Sequence, residues 1–401
     1  MHLTDLGKTR RLIIMVTAAS ILFLSICGLV LFGILGVGRG GGDFAHDMQY
    51  LFIAGELWEH NQSPYNSTLF KELMGSKVNV IYPYPPNSSP LALALSVGSL
   101  ACAKVLIAAL NLVALGCIVY FIIKAGIEST HNEGIKLSAE LRVAYAFIAI
   151  AILIGSPFTS HVIWMGQTTL LATAPILLCW LIAEKRRDLL AGFFLGLGAL
   201  KPQLTSLCGL WFFLDRRWLM LSTAAITVAA MSVWPIVSTG FGSAWLGWVS
   251  AVVEYQREAF NLVEFRHVFG MRSMLAAMGL QVPSLSLLAI LAVVILYVYR
   301  AHYEVIWLPG VIFAISALLL YSHDYDLASV SVMGLPLLLA SRGNWPVRAA
   351  ILLLLTVLFF PQRVLEAAGI GMVSRSRELA LVGLLAIYLV ICSRTRQPTA
   401  S

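Results

Sequence analysis

Long apolar runs broken by short polar punctuation limit what this chain can become. The first, Leu12 to Val37, holds about 26 residues, and a helix rising 1.5 Å per residue needs only about 20 to cross a hydrocarbon core of about 30 Å. Lys8, Arg10 and Arg11 precede it. A secretory signal carries an apolar region of about 7–15 residues and a small-residue cleavage site. This run is too long for that and reads as an uncleaved first helix with its N-terminal end in the cytoplasm. Similar runs recur along the chain, which is 59% hydrophobic and only 12% charged, against about 45–50% and about 25% in soluble domains. The expectation is an all-α, polytopic membrane protein, one integral membrane domain over 1–401.

The net charge of +7 does not point to nucleic acid, because Lys and Arg stand in small groups between apolar runs and form no basic stripe. Basic residues mark cytoplasmic loops. Lys185-Arg186-Arg187, Arg216-Arg217 and Arg342 with Arg348 should therefore face the same side as Lys8 to Arg11. That choice predicts spans at 12–37, 101–124, 142–156, 168–183, 189–200, 203–214, 218–238, 284–300, 303–321, 327–341, 347–361 and 379–393, about twelve crossings with both ends cytoplasmic. Several are shorter than a bilayer requires and read as half-helices or re-entrant segments. Arg363, Arg375 and Arg377 fall outside this charge pattern. The six cysteines, Cys27, Cys102, Cys117, Cys179, Cys208 and Cys392, lie in apolar segments without CxxC or histidine spacing, so neither a disulfide frame nor a metal site is expected.

This topology gathers the unusual polar residues on the extracytoplasmic side, in segments 38–100, 156–168, 201–203, 239–283, 322–326 and 361–378. The first loop carries the glycine-rich stretch Gly38 to Gly42, then Asp43, His46, Asp47 and Glu56. Its carboxylates are candidate bases or parts of a solvated loop. Next comes YPYPPNSSP, Tyr82 to Pro90, where Tyr84 sits among prolines that lock an extended segment: a rigid rim or an ordinary helix stop. GSPFTSHVIWMGQTT adds His161, Trp164 and Gln167, an aromatic and an amide of the kind that line sugar pockets, although Trp also anchors at interfaces. Ser238 to Arg272 alternates apolar and charged residues as an amphipathic surface helix would. Lys201 lies between two apolar segments of only about 12 residues each, so Lys201-Pro202-Gln203 forms a hairpin apex within or just under the outer membrane surface. An ionised residue there needs an anion, and a lipid-linked phosphate would supply one, with Gln203 as a further donor; snorkelling, or pairing with a carboxylate such as Asp326, would also serve. SHDYD, Ser322 to Asp326, concentrates His323, Asp324 and Asp326 in a turn that needs no such polarity, unless for local hydrogen bonds.

At these residues the sequence resembles bacterial glycosyltransferase family 87, of the GT-C fold. GGDF after helix one, the Tyr of SPYN, the YPPN rim, the GQ opening a helix, LAGFFLGLGALKPQL followed by RRW, and the HDYDL turn carry the resemblance, from about residue 38 to residue 345. It implies a membrane enzyme that moves a hexose such as mannose from polyprenyl phosphate to a lipid or glycan acceptor on the extracytoplasmic face of the bacterial inner membrane. It maps the catalytic base onto Asp43, with Asp47 as rival. Lys201 and Gln203 would bind the donor phosphate, and Tyr84, Gln167, His323 and Asp326 the substrates. The displacement would be inverting. Because such a donor already contains its leaving phosphate, no nucleotide-binding domain, cofactor or metal is implied.

Two other classes compete. A secondary transporter would share the twelve spans and broken helices but should show internal repeats, and none is evident. A non-catalytic partner of an envelope polysaccharide assembly system would share the topology without the chemistry. The topology itself is testable by cysteine labelling from outside the cell. Cysteines at 60 and 323 should react and those at 186 and 216 should not. Labelling at 186 would overturn the assignment of sides.

Overall fold

The computed structural model describes residues 7–38, 43–75, 80–132, 139–265, 267–341, 344–360 and 375–394, and 79% of it is helical. The rest of the glycine-rich exit, 39–42, lies outside the described residues, as do Arg342 and Arg363. Among the described residues, two helices are long and apolar enough to cross a membrane alone, Thr9–Ile34 and Leu100–Gly126. Two bent pairs raise the number to four if each is one span: Leu141–Gly155 with Pro157–Met165, at 48°, and Trp218–Met231 with Val233–Thr239, at 43°. Shorter apolar helices occupy Thr169–Glu184, Asp188–Gly198, Ser286–Val298, Val305–Leu319 and Trp345–Phe359. Only 11% of the most apolar window of the first helix is buried. Leu12, Phe23 and Leu24 stand exposed on it, a surface that only lipid covers without cost.

Helices lie within the apolar runs, with local differences: the expected span 218–238 is the bent pair just given, and two further segments differ. Segment 156–168, expected only as a connection between two spans, is mostly the helix Pro157–Met165. Pro157 ends the preceding helix because it lacks an N–H, and opens the next, where that N–H is not needed. The Phe158 N–H donates to Ser156 Oγ at 3.2 Å, and Thr159 Oγ1 donates to the Leu153 carbonyl at 2.7 Å, so side chains satisfy part of the broken turn. Segment 327–341, expected as one helix, is three short pieces, Leu327–Val330, Ser331–Met333 and Gly334–Ala340.

The chain forms two compact units. The first comprises Met1–Val37, Cys117–His161 and Phe269–Ser401. Its N-terminal helix packs on Ala139–Gly155, and Leu308–Leu319 is buried along almost its whole length. Arg375 donates to Ser273 Oγ at 2.6 Å and to Glu378 Oε1 at 3.3 Å. Arg377 lies 4.9 Å from the centroid of the Phe158 ring and donates to the Phe360 carbonyl at 2.7 Å. These two arginines, which broke the charge pattern, are thus held by the protein itself.

The second unit comprises Gly38–Gly116 and Val162–Val268. Its core joins the helix Met48–Glu59 to the tyrosine-rich rim. Tyr82, fully buried, lies 5.6 Å from Tyr65, Phe70 and Tyr84 and 5.8 Å from Trp58, ring centroid to centroid. The amphipathic segment begins as helical turns at Gly242–Leu246 and runs into Gly247–Tyr255. Trp248 Nε1 donates to the Pro83 carbonyl at 3.1 Å, while Leu246 and Val249 face outward.

This unit also holds the helices Thr169–Glu184, Asp188–Gly198, Pro202–Leu214 and Trp218–Met231. Gly192 and Gly196 recur four residues apart on one face, and Trp218–Met231 lies directly against them. A Cβ on Gly192 would meet the Met220 carbonyl oxygen at 2.3 Å, and one on Gly196 would meet Thr227 Cβ at 2.6 Å. Close packing of this kind holds helices together where lipid removes the hydrophobic drive. At the hairpin ends Arg186 and Arg216 both take φ of +56°. Arg217 is buried there, paired with Asp188 and donating to the Ala183 carbonyl at 2.9 Å.

Gly192→Ala and Gly196→Ala should each destabilise the protein by about 1–3 kcal/mol through overpacking. Gly209→Ala, where a Cβ would meet nothing within 4 Å, should be neutral or stabilising by up to about 1 kcal/mol. Thermal unfolding in detergent measures all three. Equal effects would mean that the glycine face does not govern this packing.

Candidate functional site

The acidic loop after the first helix does not hang free. The Ala45 N–H donates to the Trp164 carbonyl at 2.7 Å, and the Asp47 N–H to the Met165 carbonyl at 3.0 Å. Both acceptors belong to the end of the helix Pro157–Met165, where carbonyls have no partners within the helix. Phe44 adds an edge contact to Trp164, with centroids 5.4 Å apart. Gly166 turns the chain at φ +69°, and a Cβ there would meet Met48 Cβ at 2.9 Å and Ala45 Cβ at 3.1 Å. Only glycine supplies both the left-handed turn and this approach.

Asp47 and Gln167 meet across that seam. Asp47 is the N-cap of Met48–Glu59, yet its side chain makes no capping bond. It accepts instead from Gln167 Nε2 on Oδ2, and Oδ1 has no hydrogen bond among the described residues. Tyr84 Oη donates to Gln167 Oε1 at 3.2 Å. Tyr65 Oη donates to the Tyr84 carbonyl at 2.9 Å, and burial pushes the Tyr65 hydroxyl well up, so it stays a donor. Burial likewise raises Asp47 above the ordinary carboxylate range, against the lowering effects of the Gln167 hydrogen bond and the charges of His46 and Lys201. Asp43 stands exposed at the head of the loop.

Lys201 is only 4% exposed. It caps the helix Pro202–Leu214 in an extended conformation, and Nζ donates to Thr169 Oγ1 at 2.7 Å. A cation at a helix N-terminus is opposed by the helix dipole. An anion beside it would relieve both the dipole and the buried charge. Gln203 sits half-buried in the first turn of the same helix. The second unit thus brings together Asp47, Tyr84, Gln167 and Lys201, with Thr169 as a member that sequence reasoning missed. Its position directly after Gln167 and Thr168, at the start of an apolar helix, was the available signal.

His323 and Asp326 belong to the first unit. The buried Asp326 carboxylate accepts from the His323 N–H at 3.3 Å, so local hydrogen bonding accounts for part of the polarity of that turn. Tyr325, also missed from sequence, stacks between two histidines, its centroid 5.1 Å from His323 and 6.2 Å from His161. Among the described residues no group of three His, Cys, Asp or Glu side chains could hold a metal ion.

No curated protein matches the chain. The family model of glycosyltransferase family 87 matches residues 82–400, which takes in the tyrosine-rich rim, the Gln167 turn, the Lys201 hairpin and the His323 turn. The chain belongs to glycosyltransferase family 87, and its apolar helices make it a membrane glycosyltransferase.

Proposed function

We propose that the protein moves a hexose such as mannose from a polyprenyl-phosphate donor to a lipid or glycan acceptor, by inverting displacement at the extracytoplasmic face of the inner membrane. About twelve helical segments, some of them half-spans, would frame that face. The observation that carries the reading is one carboxylate, Asp47, held by Gln167 with one oxygen unengaged and within electrostatic reach of the buried Lys201. Asp43 is the position that the family resemblance favours, but Asp47 has the better geometry for the base. Its Oδ1 takes the proton of the acceptor hydroxyl as that oxygen bonds to the anomeric carbon. The bond from that carbon to the phosphate oxygen breaks, and polyprenyl phosphate leaves with the electron pair. Lys201, steadied by Thr169, stabilises the charge that builds on the phosphate. His323 and Asp326 are the remaining candidate substrate-binding residues. Membership of a glycosyltransferase family favours this enzyme over a transporter or a scaffold.

Single-turnover transfer from a radiolabelled lipid donor, with donor binding measured in parallel, tests the roles. Asp47→Asn should bind donor nearly normally and transfer at least about a hundredfold more slowly, the scale of lost general-base catalysis. Asp43→Asn should be milder. Lys201→Ala should lose both donor affinity and turnover, whereas Lys201→Arg keeps the charge and part of the rate. Collapse in the Asp43 variant alone would move the base to that residue, and normal transfer in all variants would remove the mechanism.

The pH dependence follows from the raised Asp47. Only the carboxylate accepts a proton, so the rate should rise with pH through a limb above the ordinary carboxylate range, and Asp47→Asn should lack it. Stability should run the other way. Between the ordinary and the raised value the folded protein binds the extra proton, so stability falls as pH rises through that window. In Asp47→Asn that slope should vanish from thermal midpoints measured across pH.

A further inference from the structure

We propose that Gln167 is the positioning residue of Asp47, oriented in turn by the Tyr84 hydroxyl, and that neither side chain is chiefly a sugar contact. This rests on Asp47 being the base. Tyr84 Oη donates to Gln167 Oε1 at 3.2 Å, so Nε2 must face Asp47. The flipped amide would set Oε1 against the carboxylate, two acceptors face to face, so the network itself selects the orientation. The backbone fixes the rest. The Gln167 N–H donates to the Val162 carbonyl at 2.9 Å, and the Asp47 N–H to Met165 at 3.0 Å. Gly166 presses against Ala45 and Met48 between them. Base and donor therefore ride on one stitched piece of backbone. Tyr84, held at its carbonyl by Tyr65, reaches in from the proline-locked rim.

Such an arrangement does two things for a base. By occupying Oδ2 it leaves Oδ1 as the oxygen that meets an acceptor. By donating to the charged form it offsets part of the cost of burial, lowering the Asp47 carboxyl against the upward push of desolvation. The other charged or titratable groups that face Asp47 are His46 beside it, Lys201 from the hairpin and Tyr50 one turn along its helix, the last pushed up to about 12 by burial and by Asp47 itself. None of these is altered by removing the Gln167 amide.

Two variants separate positioning from sugar binding. Gln167→Leu keeps the bulk and deletes the donor. Tyr84→Phe removes one oxygen and serves if the first fails to fold. In Gln167→Leu, kcat at pH 7 should fall about tenfold or more with KM for the lipid donor unchanged. The acidic limb of the pH profile should move up by about one unit, the size of a lost hydrogen bond to a charged group. Tyr84→Phe should change both in the same direction, kcat by about fivefold, the size of a neutral hydrogen bond. A rise in KM with an unmoved limb would make Gln167 a substrate contact and overturn the proposal. The infrared carboxyl band of Asp47, identified by its loss in Asp47→Asn and titrated without substrate, decides independently of turnover. Its midpoint should move up in both variants, and an unmoved midpoint would refute the positioning role. A shifted midpoint, together with normal sugar transfer by Asp47→Asn, would keep the positioning and reject Asp47 as the base.

Discussion

Two backbone hydrogen bonds, from the N–H groups of Ala45 and Asp47 to the carbonyls of Trp164 and Met165, hold together what the chain separates by some 120 residues. A helix ends with carbonyls that lack donors, and the turn that leads into Met48–Glu59 brings amides that lack acceptors. Buried together, each removes the other's desolvation cost. Side chains then follow the backbone. Phe44 meets Trp164, and the Asp47 carboxylate meets the amide of Gln167. Gly166 is the condition for all of it, because a side chain at that turn would strike the loop it joins.

A similar economy governs the hairpins that carry Lys201. Helices in lipid gain nothing from hiding apolar surface from other apolar surface, so the Asp188–Gly198 helix presents glycines to Trp218–Met231 and gains dispersion contacts over a short separation. Where a charge is buried, as at Arg217, it is paired with Asp188 and bound to a carbonyl. Breaking either link would leave a buried ion unpaired. The exposed Arg186 accepts a left-handed backbone angle where glycine is usual. That position keeps a cationic turn at the cost of some strain.

Asp47, Tyr84, Gln167 and Lys201 were all legible as unusual residue types: a carboxylate after a span, a tyrosine among prolines, an amide at a helix start, a cation at a hairpin apex. Their partnerships were not. Gln167 reads from sequence as a sugar ligand because amides commonly are, yet its two polar ends point to Asp47 and Tyr84. Thr169 looks like an ordinary first residue of an apolar helix until Lys201 is found on its hydroxyl. The bend after Gly155 was missed for a related reason. Pro157 breaks a helix, but whether the chain then becomes a loop or another helix depends on Ser156 and Thr159 satisfying the broken turn.

The sequence by itself determined that the chain lives among lipids, where most of its long apolar helices lie, and which residues are too polar for their surroundings. Hydropathy and helix periodicity act within about twenty residues of chain, and these properties need no longer range. Only the tertiary structure decided that Asp47 rather than Asp43 is drawn into the hydrogen-bonded cluster, and that Gln167 faces the carboxylate. The two acids stand four positions apart on one loop, with nothing local to rank them. The ranking comes from the Pro157–Met165 helix and the Gly166 turn, which receive the N–H of Asp47 and leave Asp43 at the surface.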